Sequence, residues 1–81
     1  MTEMKSFKIK AFGMLAEKLP ASEFDFSYYE NTEELIKELK RKFPELQDLK
    51  FSVAVDKQLI HERHHLNGNE EIALLPPFSG G

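Results

Sequence analysis

The chain contains no cysteine, which excludes a disulfide framework, a thiol nucleophile and a cysteine-based zinc site. It also lacks any apolar run near the roughly 20 residues needed to span a bilayer. The opening Met1-Thr2-Glu3-Met4-Lys5 has no apolar stretch after its charge, so a secretory signal is not expected there. A basic excess is missing too. Eleven Lys and Arg stand against fourteen Asp and Glu, for a formal net charge of −3 and a pI near 5.6. Nucleic-acid binders usually show the reverse balance. The densest basic run, Lys40-Arg41-Lys42, closes a predicted helix, where cations complement the dipole. These absences point to a soluble, cytoplasmic protein with neither nucleic acid nor membrane as partner.

With 81 residues the chain suits one domain. A domain of this size buries only about 60% of its unfolded surface, so nearly every apolar side chain must serve the core. Little room is left for an enclosed substrate pocket. Any chemistry is expected to be shared with a partner.

Phe7, Ile9 and Ala11 alternate with Lys8 and Lys10, the period of a half-buried strand. Gly13 ends it, and Met14 to Leu19 can make a short helix before Pro20. Phe24, Phe26 and Tyr28 alternate as a second strand, expected to lie antiparallel to the first. Asn31 is then a good N-cap, with Glu34 completing a capping-box-like pattern. Leu35, Ile36, Leu39 and Phe43 recur at helical spacing until Pro44 stops the helix. Phe51, Val53 and Val55 predict a third strand, Asp56-Lys57-Gln58 a turn, and Leu59-Ile60 a short fourth strand. Asn67-Gly68 is a strong turn signal before a last strand over residues 70–75. One helix against one face of a mixed sheet is an α+β layout. Five strands in this order make the ubiquitin-like β-grasp the natural candidate, with a domain over residues 1–75 and an extended tail over 76–81.

That tail, Pro76-Pro77-Phe78-Ser79-Gly80-Gly81, suits neither a helix nor a central strand, because its prolines remove donors and fix φ. The diproline favours a stiff, extended arm. Gly80 and Gly81 have no side chains and could enter a narrow channel. The terminus then offers a single carboxylate at the tip of a rigid, then slender, arm. A carboxylate resists nucleophiles and must first be activated, most simply as an acyl-adenylate made with ATP. Attack by a sulfur donor on that anhydride would leave a thiocarboxylate. Such a carrier needs no cysteine of its own.

The stretch Asn69-Glu70-Glu71-Ile72-Ala73-Leu74-Leu75-Pro76-Pro77-Phe78-Ser79-Gly80-Gly81 resembles the small subunit of molybdopterin synthase, a family of β-grasp sulfur carriers. Lys10-Ala11-Phe12-Gly13-Met14-Leu15-Ala16-Glu17 and Val53-Ala54-Val55-Asp56-Lys57-Gln58-Leu59-Ile60 resemble it as well. The resemblance implies that a ubiquitin-activating-like adenylyltransferase uses ATP to adenylate Gly81, and that a sulfur donor protein converts it to a thiocarboxylate. The tail (Pro76, Pro77, Phe78, Ser79 and Gly80 leading to Gly81) would then enter the large synthase subunit. There the sulfur would pass to a cyclic pyranopterin monophosphate, in molybdenum cofactor biosynthesis. It also implies a heterotetramer of two small and two large subunits. The small subunit would be non-catalytic alone and would bind no cofactor or metal.

The resemblance further implies an apolar contact patch of Phe12, Leu59 and Leu75; Lys8 and Lys10 could add steering at its rim, with ordinary solvated lysines the default expectation. Strand alternation agrees: if Ile72 and Leu74 face the helix, Leu75 points outward, and Phe12 falls on the Lys8 and Lys10 side. Two departures stand out. The family usually reads Gly-Asp-Glu before the last strand, whereas Asn67-Gly68-Asn69-Glu70-Glu71 has its glycine one place early. Asn69 is expected to tolerate the left-handed conformation that the turn needs. Phe78 stands where a smaller apolar residue is commoner.

His61-Glu62-Arg63-His64-His65 matches the zinc-protease string His-Glu-x-x-His, which works only on a helix. Between a strand and an Asn-Gly turn it reads as a surface loop. Three functions stay open: a carrier for molybdopterin synthesis; a carrier for thiamine or another thio-product, or a ubiquitin-like protein modifier; and a binding module with an inert tail.

Overall fold

Alternating Phe7, Ile9 and Ala11 build the first strand, β1 (Ser6–Ala11), and all three are buried in the computed structural model, which describes residues 5–76. A short helix, α1 (Met14–Lys18), tucks Leu15 under the sheet and leads to β2 (Glu23–Ser27). The main helix, α2 (Thr32–Lys42), is followed by β3 (Ser52–Val55), β4 (Gln58–Ile60) and β5 (Glu71–Leu75). The five strands form one sheet in the order β2-β1-β5-β3-β4. β1 and β5 run parallel at its centre, and every other pairing is antiparallel. The chain's first and last strands are therefore neighbours, with Ile9 opposite Ile72 and Ala11 opposite Leu74.

Asn31 caps α2 as the sequence predicts, its Oδ1 accepting from the Glu34 N–H at 3.0 Å. Among the described residues the return bond of a full capping box is not made, so half of that motif forms. Leu35 and Leu39 are fully buried, while Ile36 and Phe43 pack half-buried at the edge of the same core. Ile36 sits about 100° round the helix from Leu35, which puts it at the margin of the apolar stripe. Pro44 ends the helix and also starts a 3-10 turn, Pro44–Leu46, that buries Leu46 completely. Phe24 reaches Phe43 edge-on at 5.4 Å, joining β2 to the end of α2. Each fully buried Leu, Ile or Phe contributes about 1.5–3 kcal/mol by leaving water.

The segment after β4 departs from a plain surface loop. Its Leu66 is fully buried. The Leu66 N–H donates to the Glu30 carbonyl at 2.7 Å, and the Thr32 N–H donates to the His64 carbonyl at 2.9 Å, bridging Asn31 to His65. The Thr32 hydroxyl accepts from the His64 N–H, and the Tyr28 hydroxyl donates to the Leu66 carbonyl. A single leucine in the polar run His61 to Asn67 has no periodicity, so the sequence gives no sign of this anchor.

The turn into β5 is organised by a carboxylate. Glu70 accepts from the N–H groups of Asn67, Gly68 and Asn69 at 2.7, 2.8 and 3.1 Å. The left-handed position belongs to Gly68 (φ 112), where a Cβ would lie 2.6 Å from Lys5 Cδ. Asn69 is not left-handed, so the shifted glycine does the work expected of the asparagine. Burial works to raise the Glu70 carboxyl, but the N–H groups of Asn67, Gly68, Glu70 and Asn69 outweigh it and hold the group below its ordinary 4.5. A depressed folded-state pKa stabilises the fold above the unfolded value, and that contribution is lost as pH falls through the folded one. Glu70→Gln is therefore expected to cost about 1 kcal/mol at neutral pH, at the low end for charged hydrogen bonds in a half-exposed site. Urea titrations of both proteins should show the gap closing as pH drops below 4.5. A gap that stays constant with pH would exclude the carboxylate as its source.

The β3–β4 connection is a two-residue turn in which Asp56 (φ 49) and Lys57 (φ 71) are both left-handed, the signature of a type I′ hairpin. Gln58, expected in that turn, is instead the first residue of β4. The Asp56 carboxylate accepts from the Glu71 N–H at 3.0 Å, tying the hairpin to the start of β5. One main helix packed on a five-stranded mixed sheet with parallel central strands is the ubiquitin-like β-grasp arrangement expected from the sequence.

Candidate functional site

The outer face of the sheet, opposite α2, changes character along the strands. At one end it carries ion pairs. Lys8 pairs with Asp25 at 3.7 Å, and Lys10 lies between Glu71 at 2.9 Å and Glu23 at 3.8 Å. Hydrogen bonding and charge attraction from Glu71 raise the Lys10 ammonium, and the same contact lowers the Glu71 carboxyl. Solvent-exposed pairs like these contribute little to stability. They place an acid beside both Lys8 and Lys10, which leaves each a solvent-exposed, paired lysine.

One step along the strands the face turns apolar. Ala73 lies between Lys10 and Ala54, and Ala54 lies beside Leu59. Leu75 follows, half-buried opposite Ser52. Phe12 extends β1 beside it, its N–H donating to the Leu74 carbonyl at 3.0 Å. Phe12 is 46% exposed and Leu59 40%. The structure thus brings Phe12 and Leu75 together on adjacent strands. Leu59 shares their face, but it is two strands from Leu75, three from Phe12, and two residues out of step. From Leu75 that is about 12 Å of backbone at ordinary strand spacings, bridged by Ala54 and Ser52. The sequence reading also left out Met14, which is 51% exposed beside Phe12 and Gly13. Its place at the start of α1, where alternation ends, hides it from a strand-parity argument.

β5 delivers the chain to this apolar end. Pro76, its first residue beyond the strand, is half-buried against Gly13. Of the predicted site residues, Pro77, Phe78, Ser79, Gly80 and Gly81 lie outside the described residues. Two open grooves lie elsewhere. One of about 410 Å³ runs between the start of α2 and β3–β4, with Ile36, Phe51, Ile60 and Arg63 among its walls. The other, about 300 Å³, lies between β2 and the end of α2 beside Phe24 and Phe43. Neither includes Phe12, Leu59, Leu75 or Pro76.

The His61 to His65 segment lies outside any helix, with His65 bridged to Asn31, so its histidines lack the one-face helical geometry of a zinc protease. Among the described residues no group of three or more His, Cys, Asp or Glu is placed to hold a metal ion. No described helix is long and apolar enough to cross a membrane.

A β-grasp sheet whose last central strand ends at an exposed apolar face places the molecule in the ubiquitin-like class. Within that class the sequence matches the ThiS family over residues 9–81, and the chain belongs to that family. Solved structures agree on the fold. A Pyrococcus furiosus protein provisionally assigned as molybdopterin converting factor subunit 1 aligns with a TM-score of 0.82 at 16% identity, covering 90% of this chain and 98% of that one. SAMP1 from Haloferax volcanii gives 0.78 at 20% identity, covering 94% and 99%. Small archaeal modifier protein 1 from Methanosarcina acetivorans gives 0.76 at 23% identity, covering 99% and 100%. The ubiquitin-like β-grasp fold read from the sequence is thus the fold of this chain.

Proposed function

We propose that this chain is a sulfur carrier that works through the Gly81 carboxylate, as the small subunit of molybdopterin synthase. An adenylyltransferase consumes ATP to join AMP to the carboxylate, releasing pyrophosphate. Hydrosulfide, or a donor persulfide whose acyl disulfide is then reduced by a thiol, attacks the acyl carbon, and AMP leaves with the bonding pair. The sulfur of the resulting thiocarboxylate attacks a side-chain carbon of a cyclic pyranopterin monophosphate held by the large subunit, displacing an oxygen leaving group from that carbon and forming a thioester. Hydrolysis of the acyl–sulfur bond then returns Gly81 as a carboxylate and leaves sulfur on the pterin. This chain supplies the arm and the docking face, while ATP and the pterin are handled by its partners.

The observation that carries this reading is a continuity. The family match runs through Gly81, and β5 delivers Pro76 beside the exposed Phe12 and the half-buried Leu75. The absence of cysteine agrees, because the sulfur would travel on the main chain. A second reading has an observation of its own. Two of the similar structures are small archaeal modifier protein 1, which favours a protein modifier that uses the same adenylate to form isopeptide bonds.

Intact mass after incubation with an adenylyltransferase, ATP and a sulfur donor tests the proposal. The expected gain equals one sulfur in place of one oxygen, mapped to the C-terminal peptide. No gain with an enzyme proven active would overturn the carrier reading and leave an inert binding module. Adding the large subunit and the pterin precursor should remove the gain. Loss of sulfur to a thiamine precursor, or a ladder of conjugates, would move the assignment to the other members of this chemistry.

A further inference from the structure

At the root of the arm, Pro76 packs on the side of Gly13 where a side chain would stand. Gly13 adopts φ 61 and ψ −138, a combination that L side chains rarely take. A Cβ built there would lie 2.8 Å from Pro76 Cγ, 3.7 Å from Cδ and 3.9 Å from Cβ. The pyrrolidine ring therefore covers the face of Gly13 that a side chain would occupy. The ring cannot swing aside as a flexible side chain could, so any added group would displace the backbone at residue 76.

Both partners are fixed from behind. The Gly13 carbonyl accepts from the Ala16 N–H at 3.1 Å, tying it to α1. On the other strand the Leu74 carbonyl accepts from Phe12 at 3.0 Å. Pro76 has no N–H with which to continue that parallel ladder. Packing on Gly13 takes over where hydrogen bonding stops.

We infer that Gly13 is a positioning residue: its bare Cα seats Pro76 and so sets the point and direction from which the arm begins. The functional part rests on the reading of Gly81 as the reactive end, because aim matters only if an end is delivered. A docked partner would hold the Phe12 and Leu75 face, and a fixed root would present the arm to its channel already oriented. Fixing geometry in advance lowers the entropic cost of reaching the reactive arrangement.

The test uses the full chain with two variants that break the contact from opposite sides. Gly13→Ala adds the clashing methyl, and Pro76→Ala removes the ring while leaving the Gly13 backbone unstrained. Wild type should show a nuclear Overhauser contact between the Gly13 Hα and the Pro76 ring protons. Its absence in a folded wild-type chain would overturn the inference whatever the function proves to be. In Gly81 activation each variant should lower kcat about tenfold or more, with KM little changed because the docking face is intact. The double variant should be no worse than the poorer single within about twofold, since both remove one contact. Independent, multiplying losses would overturn a shared contact. Unchanged kcat in Pro76→Ala, with Gly81 deletion still abolishing activation, would sink positioning while sparing the carrier reading. If Gly81 deletion itself had no effect, the carrier reading would fall and the positioning role with it. A fall in KM-independent rate that tracks only a lowered thermal midpoint would mark Gly13 as structural and overturn the assignment.

Discussion

Deleting Gly81 is expected to reduce thiocarboxylate formation at least about a hundredfold while leaving the thermal midpoint within a degree or two of wild type. The shortened chain still ends in a carboxylate, now on Gly80, but that group sits about 3.5 Å short of its former position. Misplacement of a reacting group by about 1 Å can cost a hundredfold, so a full residue exceeds what a channel built for one length can absorb. Stability should be spared because the core is complete within the described residues, from Phe7 on β1 to Leu74 on β5. Pyrophosphate exchange and intact mass read the loss, and calorimetry reads the fold. Equal loading of the truncated chain would mean that the terminal carboxylate is not the reactive group.

Which features the sequence revealed follows from how local they are. The alternation of Phe7, Ile9 and Ala11 needs only neighbours a few residues apart, and so does the Asn31 cap. Both are present as read. Strand parity also placed Phe12 and Leu75 on the outer face without knowledge of the fold. Register is another matter. The separation of Leu59 from Leu75 depends on how β3 pairs with both β4 and β5. The paired lysines depend on acids from β2 and β5, which alternation along β1 cannot see. Leu46 and Leu66 are buried by contacts far along the chain, and each stands in a polar stretch that looks solvent-facing. The seat of Pro76 on Gly13 requires the parallel pairing of the first and last strands.

That pairing also explains why one end of the sheet's outer face suits a partner. The acids of β2 and β5 meet the lysines of β1 at the start of the parallel pair, and a self-neutralised surface offers little to bind. At the other end, the exposed Phe12 and the half-buried Leu75 lie where β5 gives way to the arm. A protein gripping this end would hold the body and the arm's root in one geometry. A small domain has few apolar residues to spare from its core, which makes their exposure beside the root informative.

Leu75→Glu is expected to weaken binding to the proposed large synthase subunit by about 2 kcal/mol or more, roughly thirtyfold, as for loss of an interface anchor. Leu75 projects from a central strand between Phe12 and Ser52, so a docked partner would cover it from above. A carboxylate there would be stripped of water on docking, and nearby Lys10 is already held by Glu71 and Glu23. The isolated fold should tolerate the change, because the new side chain can rise into solvent when no partner is present. Lys37→Glu, on the exposed face of α2, adds an acid away from the proposed surface and should leave affinity within about twofold. Titration calorimetry at two salt concentrations separates loss of an apolar contact from long-range repulsion, which salt would screen. If Leu75→Glu binds as tightly as wild type, the apolar end of the sheet is not where the partner docks.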